Sequence, residues 1–141
     1  MSEVFRTQRF VEFSDTDMAG IVHFSAFFRY MESAEHALLR SLGLSVFQKL
    51  DGDHSLSFPR VNAQCDYHAP VRCEDQLEIA VSVKRLGDKS VTYQFAISRG
   101  SDAVATGRMT SVCCRIEPGE PPVAVTLPEE IADKLRPFVA E

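Results

Sequence analysis

Two different spacings of apolar residues divide the chain into strands and one helix. In residues 77–83 and 91–98 the apolar side chains fall on every second position, which is the spacing of a half-buried strand. Gly87-Asp88 supplies the turn between these two segments, and a further strand at 103–116 follows the turn Gly100-Ser-Asp102. The three segments therefore predict an antiparallel meander.

Two more strands are predicted earlier in the chain, at residues 4–13 and 56–68. The second contains Pro59, which has no backbone N–H and therefore favours a strand start, a bulge or the edge of a sheet. A short C-terminal helix is predicted at residues 128–138, after a loop rich in proline and glycine.

Residues 24–42 follow the spacing of a helix. Apolar side chains recur there at steps of three and four residues, and further apolar residues widen the stripe beyond that of a surface helix. Gly43 suits the position just after a helix ends. A five-stranded antiparallel sheet wrapped around this one long helix buries both apolar faces, so we predict an α+β fold with a single domain over residues 1–141.

The composition and net charge of the chain limit the classes of partner that the protein is expected to bind. The chain has 45% apolar and 25% charged residues, as in an ordinary globular domain, and its net charge of −5 argues against nucleic-acid binding. The first residues contain no apolar signal segment, and no stretch approaches the roughly 20 apolar residues that a membrane span needs. We therefore expect a cytoplasmic protein without a membrane span.

Cysteine and histidine spacings give no indication of a metal site. Cys65, Cys73, Cys113 and Cys114 contain no C-x-x-C pair, and reduced thiols are the better interpretation for a cytoplasmic protein. His36, His54 and His68 have no partners at metal-binding spacing, so we interpret them as structural.

The candidate chemistry lies between the first strand and the helix. Asp15 and Asp17 precede Gly20, and the chain then enters the apolar helix. A helix start presents free N–H groups that can stabilise an oxyanion, and a nearby carboxylate can act as nucleophile or as general base. The same residues also suit a loop that only caps the helix, so spacing alone leaves both interpretations open.

A family resemblance bears on this choice. The segment Val11-Glu-Phe-Ser-Asp-Thr-Asp-Met-Ala-Gly-Ile-Val-His-Phe24 resembles the signature of the 4-hydroxybenzoyl-CoA thioesterase family of hotdog-fold proteins. The likeness continues, in order and spacing, through the segments Phe27-Phe-Arg-Tyr-Met-Glu32, Tyr67-His-Ala-Pro70, Asp75-Gln-Leu-Glu-Ile79 and Leu86-Gly-Asp-Lys-Ser90.

The resemblance implies a hotdog fold, assembly into a homodimer or homotetramer, and hydrolysis of an acyl-CoA without a metal or organic cofactor. Asp17 matches the catalytic aspartate of the family, and the backbone N–H of Phe24 matches the group that polarises the thioester carbonyl. Asp15 is expected to cap or orient the loop. His23 stands one residue earlier than the histidine of a related bacterial branch, so the role of that histidine does not carry over; His23 is a further candidate catalytic residue and is expected to line the pocket.

Further residues are predicted to contact the acyl-CoA. Lys89 and Arg85, beside the turn between two strands, are candidates for the CoA phosphates by the same resemblance. Phe27, Phe58 and Val61, with Phe24, are predicted to line an apolar or aromatic acyl pocket. Glu32 and Glu35 of the helix could face a pocket by resemblance to another hotdog branch, which uses a helical glutamate, but they fall opposite the apolar stripe, so we expect them at the surface or at an interface.

The sequence thus predicts an acyl-CoA thioesterase. Two other functions stay open: an enoyl-thioester hydratase on the same fold, which would use His23 with an aspartate, and a non-catalytic acyl-CoA binding module. A sheet of this kind also leaves an exposed edge strand, and pairing two edges across a two-fold axis would place the site at a subunit boundary.

Overall fold

The computed structural model describes residues 2–50 and 52–141. Its main sheet has five strands, with bounds Phe5–Phe10 (β1), Arg60–Tyr67 (β4), Gln76–Leu86 (β5), Ser90–Arg99 (β6) and Asp102–Val112 (β7). They are ordered β1-β5-β6-β7-β4, and each neighbouring pair is antiparallel. The predicted meander is therefore confirmed as β5, β6 and β7, and β1 and β4 form the two edges.

One helix, α1 at Ala26–Ser41, packs in the curve of this sheet. It begins two residues later than predicted, because residues 23–25 form a turn in which the Ala26 N–H donates to the His23 carbonyl at 2.9 Å. Gly43 has a φ of +74°, as the prediction of a helix end requires. Most of the circumference is covered, and the exposed residues are Arg29, Glu32, Arg40 and Ser41.

The close contact between helix and sheet depends on Gly107 in β7. A Cβ atom at this position would overlap Met31 Sδ of α1 and would lie 3.1 Å from the Gln64 carbonyl oxygen. The absence of a side chain therefore allows the helix to lie directly on the sheet.

Two predicted strands are each broken in two, and the pieces form a second sheet that the sequence did not predict. Segment 56–68 is interrupted at Phe58-Pro59, and segment 103–116 is interrupted at Cys113, whose N–H donates to the Lys89 carbonyl at 2.7 Å. The second sheet is ordered β2-β3-β8-β9, with bounds Phe47–Lys49, Ser55–Ser57, Cys114–Ile116 and Val123–Ala124. Pro59 thus marks the start of the edge strand β4, which has a register shift after Arg60.

The predicted C-terminal helix is confirmed as α2 at Glu129–Leu135, followed by a 3-10 turn at Arg136–Phe138. It buries Ile131 and Leu135, and the Ala140 N–H then donates to the Val83 carbonyl of β5 at 2.8 Å. In the part of the chain that the structure describes, no helix is long and apolar enough to cross a membrane. The assignment of residues 1–141 to one domain and the cytoplasmic location stay predictions.

Candidate active site at the start of the long helix

Asp15 anchors the loop between β1 and α1. Its side chain is 4% exposed, and Oδ2 accepts hydrogen bonds from the Tyr30 hydroxyl at 2.8 Å and from the Glu12 N–H at 3.0 Å. Arg29 Nη2 lies 3.5 Å from Oδ1, and the Asp15 carbonyl accepts the His23 N–H at 2.8 Å. The prediction that Asp15 orients the loop is therefore confirmed.

Hydrogen bonds and nearby positive charge keep the Asp15 carboxyl ionised. Burial by itself raises the pKa of the Asp15 carboxyl, but the hydrogen bonds from Glu12, Tyr30 and Arg29, together with the charge of Arg9, hold that pKa below its usual value. Burial and the bond to Asp15 raise the pKa of Tyr30, so its hydroxyl remains a donor. The Arg9 guanidinium lies 5.0 Å from the centre of the Tyr30 ring and covers its face.

Asp17 lies on a tight turn supported by this anchor. Its N–H donates to the Ile21 carbonyl at 2.9 Å, and its carbonyl accepts the Gly20 N–H at 3.0 Å. Gly20 has a φ of +80°, a conformation that a side chain disfavours. One carboxylate oxygen of the exposed Asp17 accepts the Ala19 N–H at 2.9 Å, and the other makes no hydrogen bond with a described residue. That second oxygen is available to a substrate or to water.

An open cavity of about 420 Å³ adjoins this turn and the helix start. Asp17, Tyr67 and His68 are its polar side chains, and the rest of the wall is apolar. The apolar lining residues are Ile21, Val22, Phe24, Phe27, Ala69, Pro70 and Val71. A carboxylate at the edge of an otherwise apolar cavity is suited to attack on a bound acyl group.

The Phe24 amide, just before α1, lies in a residue that lines this cavity. The Ser25 N–H lies 3.2 Å from His23 Nδ1, and the Ala26 N–H is taken by the His23 carbonyl. The N–H of Phe24 has no acceptor among the residues that the structure describes. An N–H group with the electropositive end of a helix beside it can stabilise an oxyanion.

The predicted residues do not all meet at this cavity. Asp17, Phe24 and Phe27 do, but His23 is not among the lining residues, because its Nδ1 lies 2.8 Å from Ser25 Oγ and its ring stacks on Phe24 at 4.5 Å. The expectation that His23 lines the pocket is therefore wrong for this cavity, and its catalytic role stays a prediction.

Phe58 and Val61 were also placed wrongly. Phe58 lines a narrow hollow beside the second half of α1, together with Glu35 and Tyr93. Val61 is 64% exposed on the edge strand β4 and lines neither of these cavities. Phe58 lies before the break at Pro59 and therefore outside β4, whereas Val61 lies near the start of β4, six positions before Tyr67 at the end that reaches the site.

Arg85 and Lys89 are exposed and lie near the turn between β5 and β6. The Asp17 loop is tied to the other end of β5, where the Val11 N–H donates to the Asp75 carbonyl at 2.9 Å. Arg85 lies nine positions after Gln76 along β5, which is about 30 Å at the rise of a β-strand. One subunit therefore does not bring these basic groups to the cavity.

Glu35 is buried within the subunit, so the expectation that it lies at the surface is wrong. It is 2% exposed, and both of its oxygens bind the Arg60 guanidinium, at 2.7 and 2.9 Å. Hydrogen bonding to Glu35 is the largest cause of the raised pKa of Arg60. The error has a physical reason: α1 is covered on most of its circumference, so a position opposite the main stripe is also buried.

Tyr67 and His68 are functional candidates that the sequence did not indicate. Both lie at the end of β4, in the segment Tyr67-His-Ala-Pro70, whose family likeness indicates the fold but no role for either residue. His68 Nε2 lies 3.0 Å from Thr106 Oγ1, so its role is structural in part. In residues 2–50 and 52–141 no group of three His, Cys, Asp or Glu side chains is arranged to hold a metal ion.

Known thioesterases are similar to this chain in sequence and in fold. The chain is 29% identical over 132 residues to a 1,4-dihydroxy-2-naphthoyl-CoA hydrolase of Synechococcus elongatus, covering 94% of this chain and 95% of that protein. A 1,4-dihydroxy-2-naphthoyl-CoA thioesterase from Synechocystis superposes with a TM-score of 0.80 at 26% identity, over 95% of this chain and 96% of the other. A gentisyl-coenzyme A thioesterase superposes with a TM-score of 0.77 at 26% identity, over 94% of this chain and 99% of the other.

These relatives are named for dihydroxynaphthoyl-CoA and gentisyl-CoA, so the resemblance is confirmed for the superfamily and not for 4-hydroxybenzoyl-CoA thioesterases in particular. The hotdog fold is confirmed by these neighbours. The family model described as the Thioesterase-like superfamily matches residues 11–135, and the chain belongs to this superfamily of hotdog-fold enzymes.

Proposed function

We propose that the protein is an acyl-CoA thioesterase that hydrolyses the CoA thioester of an aromatic acid. The observation that carries the proposal is that one apolar cavity is lined both by Asp17 and by Phe24, whose N–H has no acceptor among the described residues. Hydrolysis of a thioester needs a nucleophile or base on one side of the carbonyl carbon and a donor to its oxygen. This cavity offers one of each.

Two routes use the same groups. In the first, an Asp17 oxygen attacks the carbonyl carbon, the C–S bond breaks, CoA leaves as the thiolate, and water cleaves the resulting anhydride. In the second, Asp17 takes a proton from a water molecule that attacks the same carbon, and CoA again leaves as the thiolate. In both routes the Phe24 N–H donates to the carbonyl oxygen as it becomes negatively charged.

The aromatic substrate class is supported by the cavity wall and by the relatives. The rings of Phe24, Phe27 and Tyr67 face the cavity, and the Phe27 and Tyr67 rings meet edge to face with their centres 5.2 Å apart. The relatives named above act, by their names, on dihydroxynaphthoyl-CoA and gentisyl-CoA, which are hydroxylated aromatic thioesters.

A second subunit would complete the CoA site. The strand β4 is an edge of the sheet and exposes its backbone and Val61, which is a surface that natural proteins cover. We propose pairing of two subunits, as a homodimer or within a homotetramer, so that Arg85 and Lys89 of one subunit can serve the phosphates of CoA bound to the other. A monomer in light scattering at micromolar concentration would contradict this arrangement.

A panel of thioesters tests the function. Benzoyl-CoA, 4-hydroxybenzoyl-CoA and 1-hydroxy-2-naphthoyl-CoA would be compared with hexanoyl-CoA and decanoyl-CoA, with thiol release as the readout. We expect kcat/KM to be at least about tenfold higher for the aromatic set, since one well-fitted ring contributes on the order of 1.4 kcal/mol. Preference for the aliphatic set would overturn the substrate class, and absence of thiol release from all five would overturn the function.

The hydratase alternative is tested by the absorbance of an enoyl-CoA under the same conditions. It has less support, because the His23 ring does not line the cavity. Tight CoA binding without thiol release would instead indicate a binding module.

A further inference from the structure

Resting on the proposed function, we infer that Tyr67 is a positioning residue that restrains the backbone of Phe24 through its carbonyl and thereby helps to aim the Phe24 N–H, in the preceding peptide unit, at the thioester oxygen. The Tyr67 hydroxyl donates to the Phe24 carbonyl at 3.1 Å, across 43 residues of sequence. This bond ties the last residue of the edge strand β4 to the chain just before α1.

The position of Tyr67 is itself well defined. Its backbone pairs with Ala105 of β7, and the adjacent His68 N–H donates to the Val104 carbonyl at 2.8 Å. The ring packs against the edge of the buried Phe27, with an angle of 66° between the ring planes. Burial raises the pKa of Tyr67, and Cys65 beside it adds to this effect, so the hydroxyl remains protonated and able to donate.

Phe24, in contrast, has few other restraints. Its side chain is 62% exposed and contacts the His23 ring, and its N–H has no acceptor among the described residues. The Phe24 carbonyl accepts no main-chain hydrogen bond within residues 2–50 and 52–141, so the Tyr67 hydroxyl supplies the contact that holds it. The residues on either side of Phe24 are held by other bonds. The His23 N–H donates to the Asp15 carbonyl, the Ser25 N–H donates to His23 Nδ1, and the Ala26 N–H donates to the His23 carbonyl.

The consequence for catalysis follows from this geometry. Without the hydroxyl, residue 24 can rotate about its backbone dihedrals, and the N–H then spends less time pointing at the carbonyl oxygen. Preorganised donors act because they need no rearrangement when charge develops, and a displacement near 1 Å can cost about a hundredfold in rate. Loss of one hydrogen bond from a half-exposed tyrosine should have a smaller effect, of about tenfold in kcat.

The test is Tyr67→Phe, which keeps the ring and its contact with Phe27. We expect kcat for benzoyl-CoA to fall about tenfold, with KM changed less than about twofold, because the lost interaction acts in the transition state. Tyr93→Phe is the matched control: it removes the same hydroxyl from a buried tyrosine outside the cavity, and kcat should stay within about twofold of the wild type.

A spectroscopic readout separates positioning from a structural role. In an Asp17→Asn background, bound benzoyl-CoA carrying ¹³C at the carbonyl should show a C=O stretch below that of the free thioester, and adding Tyr67→Phe should move this frequency back toward the free value. An unchanged kcat in Tyr67→Phe, or a raised KM with unchanged kcat, would overturn the inference. If the wild type releases no thiol from any substrate, the proposed function itself is wrong. If the wild type is active and Tyr67→Phe is equally active, only the role given to Tyr67 is wrong.

Discussion

Replacement of Asp15 by asparagine tests the anchor beneath the catalytic loop. The change removes one negative charge and keeps the size and shape of the side chain. Its amide oxygen can occupy the place of Oδ2 and still accept from Tyr30 and Glu12, while the amide nitrogen faces Arg29. The perturbation therefore weakens the acceptor without opening a cavity.

The magnitude follows from these contacts. A hydrogen bond to a charged group contributes about 1.5–3 kcal/mol and one between neutral groups about 0.5–1.5, so each of the two retained bonds loses about 1 kcal/mol. The contact with the half-exposed Arg29 adds at most about 1 kcal/mol. We expect Asp15→Asn to lower the free energy of unfolding by about 2–3 kcal/mol, which corresponds to roughly 6–9 °C in Tm.

The loss should depend on pH in a defined direction. The pKa of Asp15 is lowered in the folded protein, so its carboxylate stabilises the fold above the usual value of 3.8 and the contribution disappears as pH falls through the lowered pKa. The difference between Asp15→Asn and the wild type should therefore be constant near neutral pH and shrink as the solution is acidified below about pH 4.

Urea unfolding monitored by circular dichroism measures this difference at each pH. Asp53→Asn makes the same chemical change at an exposed position and should shift the free energy of unfolding by less than about 0.5 kcal/mol. The reasoning is refuted if Asp15→Asn is as stable as this control at pH 7, or if the difference grows on acidification.

Two other predictions concern groups outside the cavity. Glu35→Gln leaves the Arg60 guanidinium without its buried counter-charge and should lower the free energy of unfolding by about 3 kcal/mol in urea titrations. Glu32→Gln changes the exposed partner of the same arginine and should lower the free energy of unfolding by less than about 1 kcal/mol. Equal losses in the two variants would contradict the role given to burial. In a thiol titration at about pH 8, the exposed Cys73 should react first and Cys65 more slowly, because burial raises the pKa of Cys65 to about 11, and the two buried thiols should react only after unfolding. Four rapidly reacting thiols in the native protein would contradict this order.

The sequence predicted those parts of the fold that repeat a local pattern. The period of two in β5 and β6 and the steps of three and four in α1 each extend over more than two turns of the pattern, so their elements and the meander were identified. The strands of the second sheet have two or three residues each, which is too short for any period to be visible. Their existence depends on the breaks at Pro59 and Cys113, which are set by contacts distant in sequence.

The residues of the site were also predicted only in part from the sequence. Asp17 and Phe24 belong to one continuous segment of the chain, so a local motif was enough to place both at the helix start. The bond from Tyr67 to Phe24 spans 43 residues and the pair of Glu35 with Arg60 spans 25, and neither leaves a periodic trace in the sequence. Such pairings become visible only when the sheet brings β4 beside α1.

Removal of the Asp17 carboxylate tests the central claim most directly. Asp17→Asn retains an oxygen that can accept the Ala19 N–H, so the turn and the fold should persist, with circular dichroism and Tm as controls. The account predicts that thiol release from the best aromatic acyl-CoA falls by about 10²–10⁴ in kcat, as expected when a nucleophile or general base is lost. A folded Asp17→Asn variant with kcat within about tenfold of the wild type would contradict it.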